Sequence, residues 1–179
     1  FAIFVDAPLQ DKAKPMINPN PSKAPWYFMG FQELLLHVHP AFGAFIIPML
    51  VTAFFIYVPF IKYPQLHPGV WFHSSKGKKI TIISAIFSAV YTFIFSFIND
   101  TILDFSNRLP EWPAFLSTGI LSTLLYLLPV TGFLIYLKRK KEANKTEMVI
   151  AMVTIILSAY IILMLTGSLL RGEGMQFIF

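Results

Sequence analysis

Residues 148–170 read MVIAMVTIILSAYIILMLTGSLL, an apolar stretch that contains no charged side chain. A helix of about 20 such residues spans the hydrocarbon core of a bilayer, which is about 30 Å thick. Three similar runs precede it, at residues 41–61, 80–98 and 115–137. Because lipid offers no hydrogen-bond partner to the backbone and the runs do not alternate between apolar and polar residues, we expect each to be a helix. The sequence therefore predicts an all-α integral membrane protein with four transmembrane helices.

The composition agrees with this class. Of the 179 residues, 56% are hydrophobic and 13% are charged, which is more apolar surface than a water-soluble domain of this size can bury. The chain has no Cys, so it cannot itself supply disulfides, thiolate metal ligands, iron–sulfur ligands or a covalent c-type haem attachment. Its net charge of +5 lies in loops between apolar runs, which favours a topological role over nucleic-acid binding.

The loop charges predict one orientation. Residues 62–79 and 138–147 carry most of the lysines, so both loops should be cytoplasmic by the positive-inside rule. Residues 99–114 hold three acids against one Arg, as expected at the outer face. We therefore divide the chain into an outer-face region with a short helix, residues 1–40, and a transmembrane region, residues 41–179. The tail from Arg171 should also lie at the outer face.

The first residues are less regular. Phe1–Val5 is apolar, and we expect it to be the end of a further helix. The prolines that follow predict an extended connector over residues 6–25.

A short helix is predicted over residues 25–40, between two prolines. Met29, Glu33 and His37 are spaced four residues apart and so share one face of it. A carboxylate and an imidazole on one face, at the membrane boundary, are suited to accepting protons and passing them to water outside. The alternative is that Glu33 pairs locally, with His37 and His39 as interfacial polar residues.

Residues 24–35, APWYFMGFQELL, resemble the segment with the PEWY motif in the C-terminal half of cytochrome b, or in subunit IV where that half is a separate chain. The WYF at residues 26–28 matches the motif. Ala24 replaces its Pro, and Pro25 replaces its Glu. A long helix follows and ends in VPF at residues 58–60, similar to the family's exit from that helix. The resemblance covers the chain to about Ile98 and then continues only in general hydropathy.

The resemblance implies a membrane subunit of a cytochrome bc-type quinol oxidoreductase, inactive alone, that forms one wall of the quinol-oxidation site at the outer face. Electrons would pass from quinol to a Rieske centre and to b haems, with proton release outside. The implied partners are the haem-binding N-terminal half of cytochrome b, a Rieske iron–sulfur protein and a c-type cytochrome, in a complex that is usually dimeric. Haem b and the Rieske cluster would belong to these partners. The implied location is an energy-transducing membrane, the cytoplasmic membrane of a prokaryote.

In the family the motif's Glu takes a proton as quinol is oxidised, which Pro25 cannot do. Glu33 is the only acid between Lys12 and Asp100, so we expect it to serve instead, with a pKa raised by its apolar pocket. Tyr27 is expected to hydrogen-bond the quinone ring or the Rieske domain. The expected quinol-binding residues are Pro25, Trp26, Phe28, Met29 and His37. For a quinone-reduction or anionic-lipid site at the cytoplasmic face, the candidates are Lys62 and His73.

The histidines do not predict a haem or metal site in this chain. His37 and His39 should lie at the face opposite His67 and His73, about 30 Å away. A metal at His37 and His39 would lack a third ligand. Two other functions remain open. One is a non-catalytic membrane anchor of an extracytoplasmic redox complex with a disabled quinone pocket. The other is a small transporter, disfavoured by the near absence of intramembrane charge.

Overall fold

The computed structural model describes residues 22–63, 74–103 and 111–178. The α-helices among these residues are α1 (Trp26–His37), α2 (Ile47–Tyr57), α3 (Ser75–Ile98), α4 (Ser122–Lys140) and α5 (Lys145–Leu165). Residues 1–21, with the predicted helix end Phe1–Val5 and the connector, lie outside the described residues. Within these ranges the chain forms helices, turns and one isolated antiparallel bridge between Arg171 and Phe177.

In the part of the chain that the structure describes, four helices are long and apolar enough to cross a bilayer, which confirms the predicted fold class. We call them spans 1 to 4; they comprise Ala41–Phe60, Ser75–Leu103, Phe115–Lys140 and Lys145–Leu170. Three of them are longer than the apolar runs that predicted them. Caps are one reason: Ser74 and Asn144 accept hydrogen bonds from backbone N–H groups and start spans 2 and 4 before their first lysines. Lysine side chains are long enough to reach water from such positions.

Each span also contains a π-helical segment, and each segment lies at the same end of the bundle. The four are Ala41–Ile46, Asn99–Leu103, Phe115–Leu121 and Thr166–Leu170. We call this the Arg171 end, because the chain leaves span 4 there through Arg171. Wide π turns are frequent at functional sites, because they shift side chains out of the ordinary helical register. The opposite end, with most of the lysines, is the lysine-rich end.

Spans 2 and 4 form the centre of the bundle. Small hydroxyl side chains recur every four residues along α3 and are buried where α3 packs against α5. Small residues let two membrane helices approach closely, and the Ser88 hydroxyl donates to the carbonyl of Ile155 at 2.8 Å. The buried positions include Ser84, Ser88, Thr92 and Ser96 on α3, and Ala151, Ile155, Ala159 and Leu163 on α5.

Helix α1 docks onto the Arg171 end of α5. A Cβ at Gly30 would lie 3.0 Å from the carbonyl oxygen of Tyr160, so the absence of a side chain permits this contact. The Tyr160 hydroxyl donates to the carbonyl of Tyr27 at 2.6 Å. Helix α2, in contrast, has no buried residue in the described part of the chain, and lipid or another subunit must cover it.

Candidate functional site

The buried face of α1 carries the residues that the helical spacing predicts. Met29, Glu33 and His37 are all buried, and Glu33 has no exposed surface. The helix starts after Pro25, whose φ of −54° suits the first turn. It ends at His37, and Val38 is extended, shortly before Pro40. This short helix therefore presents a carboxylate and an imidazole to the bundle interior.

Arg171 enters this site from the end of span 4 and is itself buried. Its Nε donates to both carboxylate oxygens of Glu33, at 3.1 and 3.0 Å, and its Nη2 donates to Oε1 at 2.5 Å. Its Nη1 donates to the carboxylate of Asp100 and, at 2.9 Å, to the carbonyl of Met175. Its guanidinium carbon lies 4.1 Å from the ring centroid of Phe177. One guanidinium thus joins two carboxylates from different parts of the chain.

His37 completes the site. Its Nε2 lies 3.1 Å from Oε1 of Glu33, and its Nδ1 lies 3.1 Å from Nδ2 of Asn99. The same Nδ1 is 3.7 Å from Oδ1 of Asp100. Since the amide NH₂ of Asn99 also donates to the carbonyl of His37 at 3.3 Å, Asn99 holds the imidazole in place. We refer to Glu33, His37, Asn99, Asp100 and Arg171 as the charged cluster.

The pKa of Glu33 differs from the expectation. Burial alone would raise it, but the hydrogen bonds and charges of His37 and Arg171 outweigh burial and hold the pKa below its usual value. The pKa of Arg171 is raised: burial lowers it, but Glu33 and Asp100 more than compensate. The prediction of a raised Glu33 pKa is therefore wrong. The physical reason is a cation 138 residues away in the sequence, which helical spacing within residues 25–40 could not reveal.

A cavity of about 360 Å³ opens beside the charged cluster. Asp100 and Arg171 are the cluster members that line it, and Asp100 is the more exposed: its side chain is 29% exposed, whereas those of Glu33 and His37 are fully buried. The cavity is lined by Leu36, Asp100, Thr101, Arg171, Met175, Gln176 and Phe177. A partly open space, lined by both polar and apolar side chains, therefore lies beside the buried cluster.

The aromatic residues of the APWYF segment lie outside the charged cluster. Trp26, Tyr27 and Phe28 are 49%, 54% and 57% exposed and form a row of ring contacts, with centroids 5.7 and 5.1 Å apart. Pro25 is exposed at the start of α1. The predicted quinol-binding set therefore divides in two. Met29 and His37 face the bundle with Glu33, and the others face outward.

The remaining candidates are elsewhere. Lys62 is exposed beyond the lysine-rich end of span 1, and His73 lies outside the described residues. His39 has a local structural role, because its backbone N–H donates to the carbonyl of Thr118 at 2.9 Å and its Nδ1 accepts from the N–H of Ala41 at 3.2 Å.

Three members of the charged cluster were not predicted as site residues: Asn99, Asp100 and Arg171. One signal was available, because Asp100 follows a predicted span and Arg171 follows another, and the charge pattern assigns both to the face of Glu33. Opposite charges at the same membrane boundary are candidates for pairing. Compared with known proteins, the chain matches no protein-family model, no curated protein and no solved structure.

Proposed function

We propose that this chain is the subunit IV-like membrane component of a Rieske/cytochrome b quinol oxidoreductase in a prokaryotic cytoplasmic membrane. Its Arg171 end would form part of the quinol-oxidation site at the outer face. One observation carries the proposal: a buried carboxylate and imidazole, bound by the guanidinium of Arg171 from the end of span 4, lie on α1, the same short helix that begins with the motif-like APWYF segment. Ionisable groups buried at a membrane boundary are costly and are disproportionately functional.

Quinol oxidation needs groups that accept protons. Oxidation of a quinol to a quinone releases two electrons and two protons, and the protons must leave a water-poor pocket. His37 is the proton acceptor in this proposal, because an imidazole can take up and release a proton and this one is held between two carboxylates. Glu33, which Arg171 keeps ionised, orients His37 and stabilises its cationic form.

The electrons would go to centres on partner subunits. A b haem needs two imidazoles with free nitrogens. In this chain both nitrogens of His37 contact Glu33 and Asn99, and Nδ1 of His39 accepts from Ala41. The donor sets of these two residues therefore do not fit haem ligation. The exposed Trp26, Tyr27 and Phe28 row is then the surface that would face the quinol ring or a Rieske domain.

The test is quinol:cytochrome c reductase activity of the purified complex carrying Glu33→Gln or His37→Gln, with haem and subunit content measured. We expect turnover to fall by about tenfold or more in both, because proton transfer loses its acceptor or the charge that stabilises it. Glu147→Gln is the matched control, since Glu147 is a buried glutamate at the opposite end of the bundle. Unchanged turnover in both cluster variants, with assembly intact, would refute the proposal.

A second function is favoured by one observation. The guanidinium of Arg171 donates three hydrogen bonds to Glu33. Such an ion pair also suits a purely structural role, in which it holds α1 against the end of span 4. The chain would then be a non-catalytic membrane anchor for an extracytoplasmic redox complex. In that case Glu33→Gln lowers the amount of assembled complex, while turnover per assembled complex stays at the wild-type value.

A further inference from the structure

Asp100 occupies a different position from the other charged groups of the cluster. It belongs to the π-helical segment that continues α3, and it touches both Arg171 and the open cavity. The Glu33 carboxylate is fully buried, whereas that of Asp100 is partly exposed. Of these two carboxylates, Asp100 is therefore the one in contact with the cavity.

The surroundings of His37 can accommodate two protonation states. As placed, the NH₂ of Asn99 faces Nδ1, which fits a neutral ring whose Nε2–H donates to Glu33. The Oδ1 of Asn99 is buried and has no hydrogen-bond partner among the described residues. Rotating this amide by half a turn would bring Oδ1 to face Nδ1 and accept from an Nδ1–H, in exchange for the hydrogen bond that the NH₂ donates to the carbonyl of His37.

The charged side chains that contact His37 are unequal in number. Two carboxylates, Glu33 and Asp100, face one guanidinium, Arg171, whose Nη2 lies 3.4 Å from Nε2 of His37. Among the described residues, Lys23 also reaches this site, and its ammonium group donates to the backbone carbonyl of Arg171. A proton on His37 therefore neutralises the excess negative charge within the side-chain cluster.

We propose that Asp100 is the proton outlet of the cluster: Nδ1 of His37 carries the proton, and Asp100 passes it to water in the cavity. The N–H bond at Nδ1 breaks as an O–H bond forms at Oδ1 of Asp100, leaving both groups neutral. Asp100 then releases the proton to water and regains its charge, with no change in oxidation state. The separation of 3.7 Å is short enough for a carboxylate rotation or one bridging water. Only the origin of the proton, quinol, rests on the function proposed above.

The test does not require quinol. The full-length chain is labelled with ¹⁵N-histidine and placed in lipid bilayers, and NMR measures the exchange of the His37 ring protons with water. Loss of the signal in His37→Gln assigns it. We expect Asp100→Asn to slow exchange by about tenfold or more, because the amide cannot accept and release the proton. Asp100→Glu should restore most of the rate.

Glu111→Gln is the matched control, because Glu111 is an exposed acid that precedes span 3 at the Arg171 end. It should leave exchange unchanged. A second variant keeps the ion pairs intact: Gln176→Trp fills the cavity beside Asp100 and should also slow exchange. This variant decides the matter if Asp100→Asn does not fold.

The outcomes separate the two proposals. Slow exchange in Asp100→Asn and Gln176→Trp supports Asp100 as the proton outlet. If the His37→Gln complex also turns over quinol at the wild-type rate, the role of His37 as proton acceptor in quinol oxidation is refuted. Exchange at the wild-type rate in folded Asp100→Asn, or in Gln176→Trp where Asp100→Asn does not fold, overturns the outlet whatever the turnover.

Discussion

The two ends of the bundle each bury a glutamate, but they satisfy it differently. At the lysine-rich end, Glu147 belongs to a capping box: its Oε2 accepts from the N–H of Asn144 at 2.9 Å, and its own N–H donates to the Asn144 side chain at 2.8 Å. The nearest cation, Lys76, is 3.9 Å away and 46% exposed. At the Arg171 end, Glu33 is sealed in with Arg171 and His37.

The difference shows how a carboxylate's partners decide its role. Glu147 starts α5 through its capping box with Asn144, and its Oε1 also accepts from the hydroxyl of Ser74, which caps α3, at 3.2 Å. The charged cluster needs α1 and the ends of spans 2 and 4 to meet, and it places charges in a low-dielectric environment that helix formation does not require. Such an expensive arrangement calls for a functional explanation in a way that a capping box does not.

The largest expected effect is that of Arg171→Met. It leaves Glu33 buried without its cation, and removal of one partner of a buried ion pair costs about 3–5 kcal/mol. Chemical denaturation in detergent should show this loss in the free energy of unfolding. The double variant Arg171→Met/Glu33→Gln should recover part of it. A loss below about 1 kcal/mol, as at exposed pairs, would remove the distinction between the two ends.

The next effect is on the pH dependence of stability. Because the pKa of Glu33 is lowered in the folded protein, its contribution is fully present above the ordinary value of 4.5 and is lost as pH falls through the folded pKa. The melting temperature should fall over that acid range, and it should fall less in Glu33→Gln. If the melting temperature of Glu33→Gln falls with decreasing pH as steeply as that of the wild type, Glu33 is not held ionised by its partners.

Glu147→Gln should have a smaller effect of about 1 kcal/mol, which is the size of a lost helix cap. The amide can still accept from the N–H of Asn144, so much of the box is kept. The same denaturation experiment measures its free energy of unfolding. If Glu147→Gln loses as much of this free energy as Arg171→Met, both ends of the bundle depend equally on their ion pairs.

The smallest effect is expected for Lys76→Met. Its ammonium group is about half exposed and contacts Glu147 and the carbonyl of Glu142, and exposed pairs contribute about 0–1 kcal/mol. The change should be smaller still at high salt, because exposed charges are screened. A change larger than that of Glu147→Gln would show that the capping box depends on Lys76.

Sequence patterns were most informative where the physics is local. Apolar runs predicted the four spans, and four-residue spacing predicted the buried face of α1, because both depend on neighbours along one helix. The pKa of Glu33 was predicted in the wrong direction, because its sign depends on Arg171, which only the packing of span 4 brings near. The exposure of Trp26, Tyr27 and Phe28 likewise follows from α1 turning its other face to α5. A motif alone does not show which side of a helix is covered.

The position of Arg171 after span 4 also bears on biosynthesis. Glu33 precedes span 1 in the chain, so its carboxylate has no Arg171 partner until span 4 has been synthesised and inserted. An unpaired carboxylate in an apolar setting is neutralised or stays in water until a cation arrives. The ion pair between Glu33 and Arg171 therefore forms only when span 4 has brought Arg171 to the depth of α1 in the membrane. In a chain whose span 4 is misplaced, the Glu33 carboxylate would stay exposed. Correctly and incorrectly inserted chains would then differ in the exposure of this carboxylate.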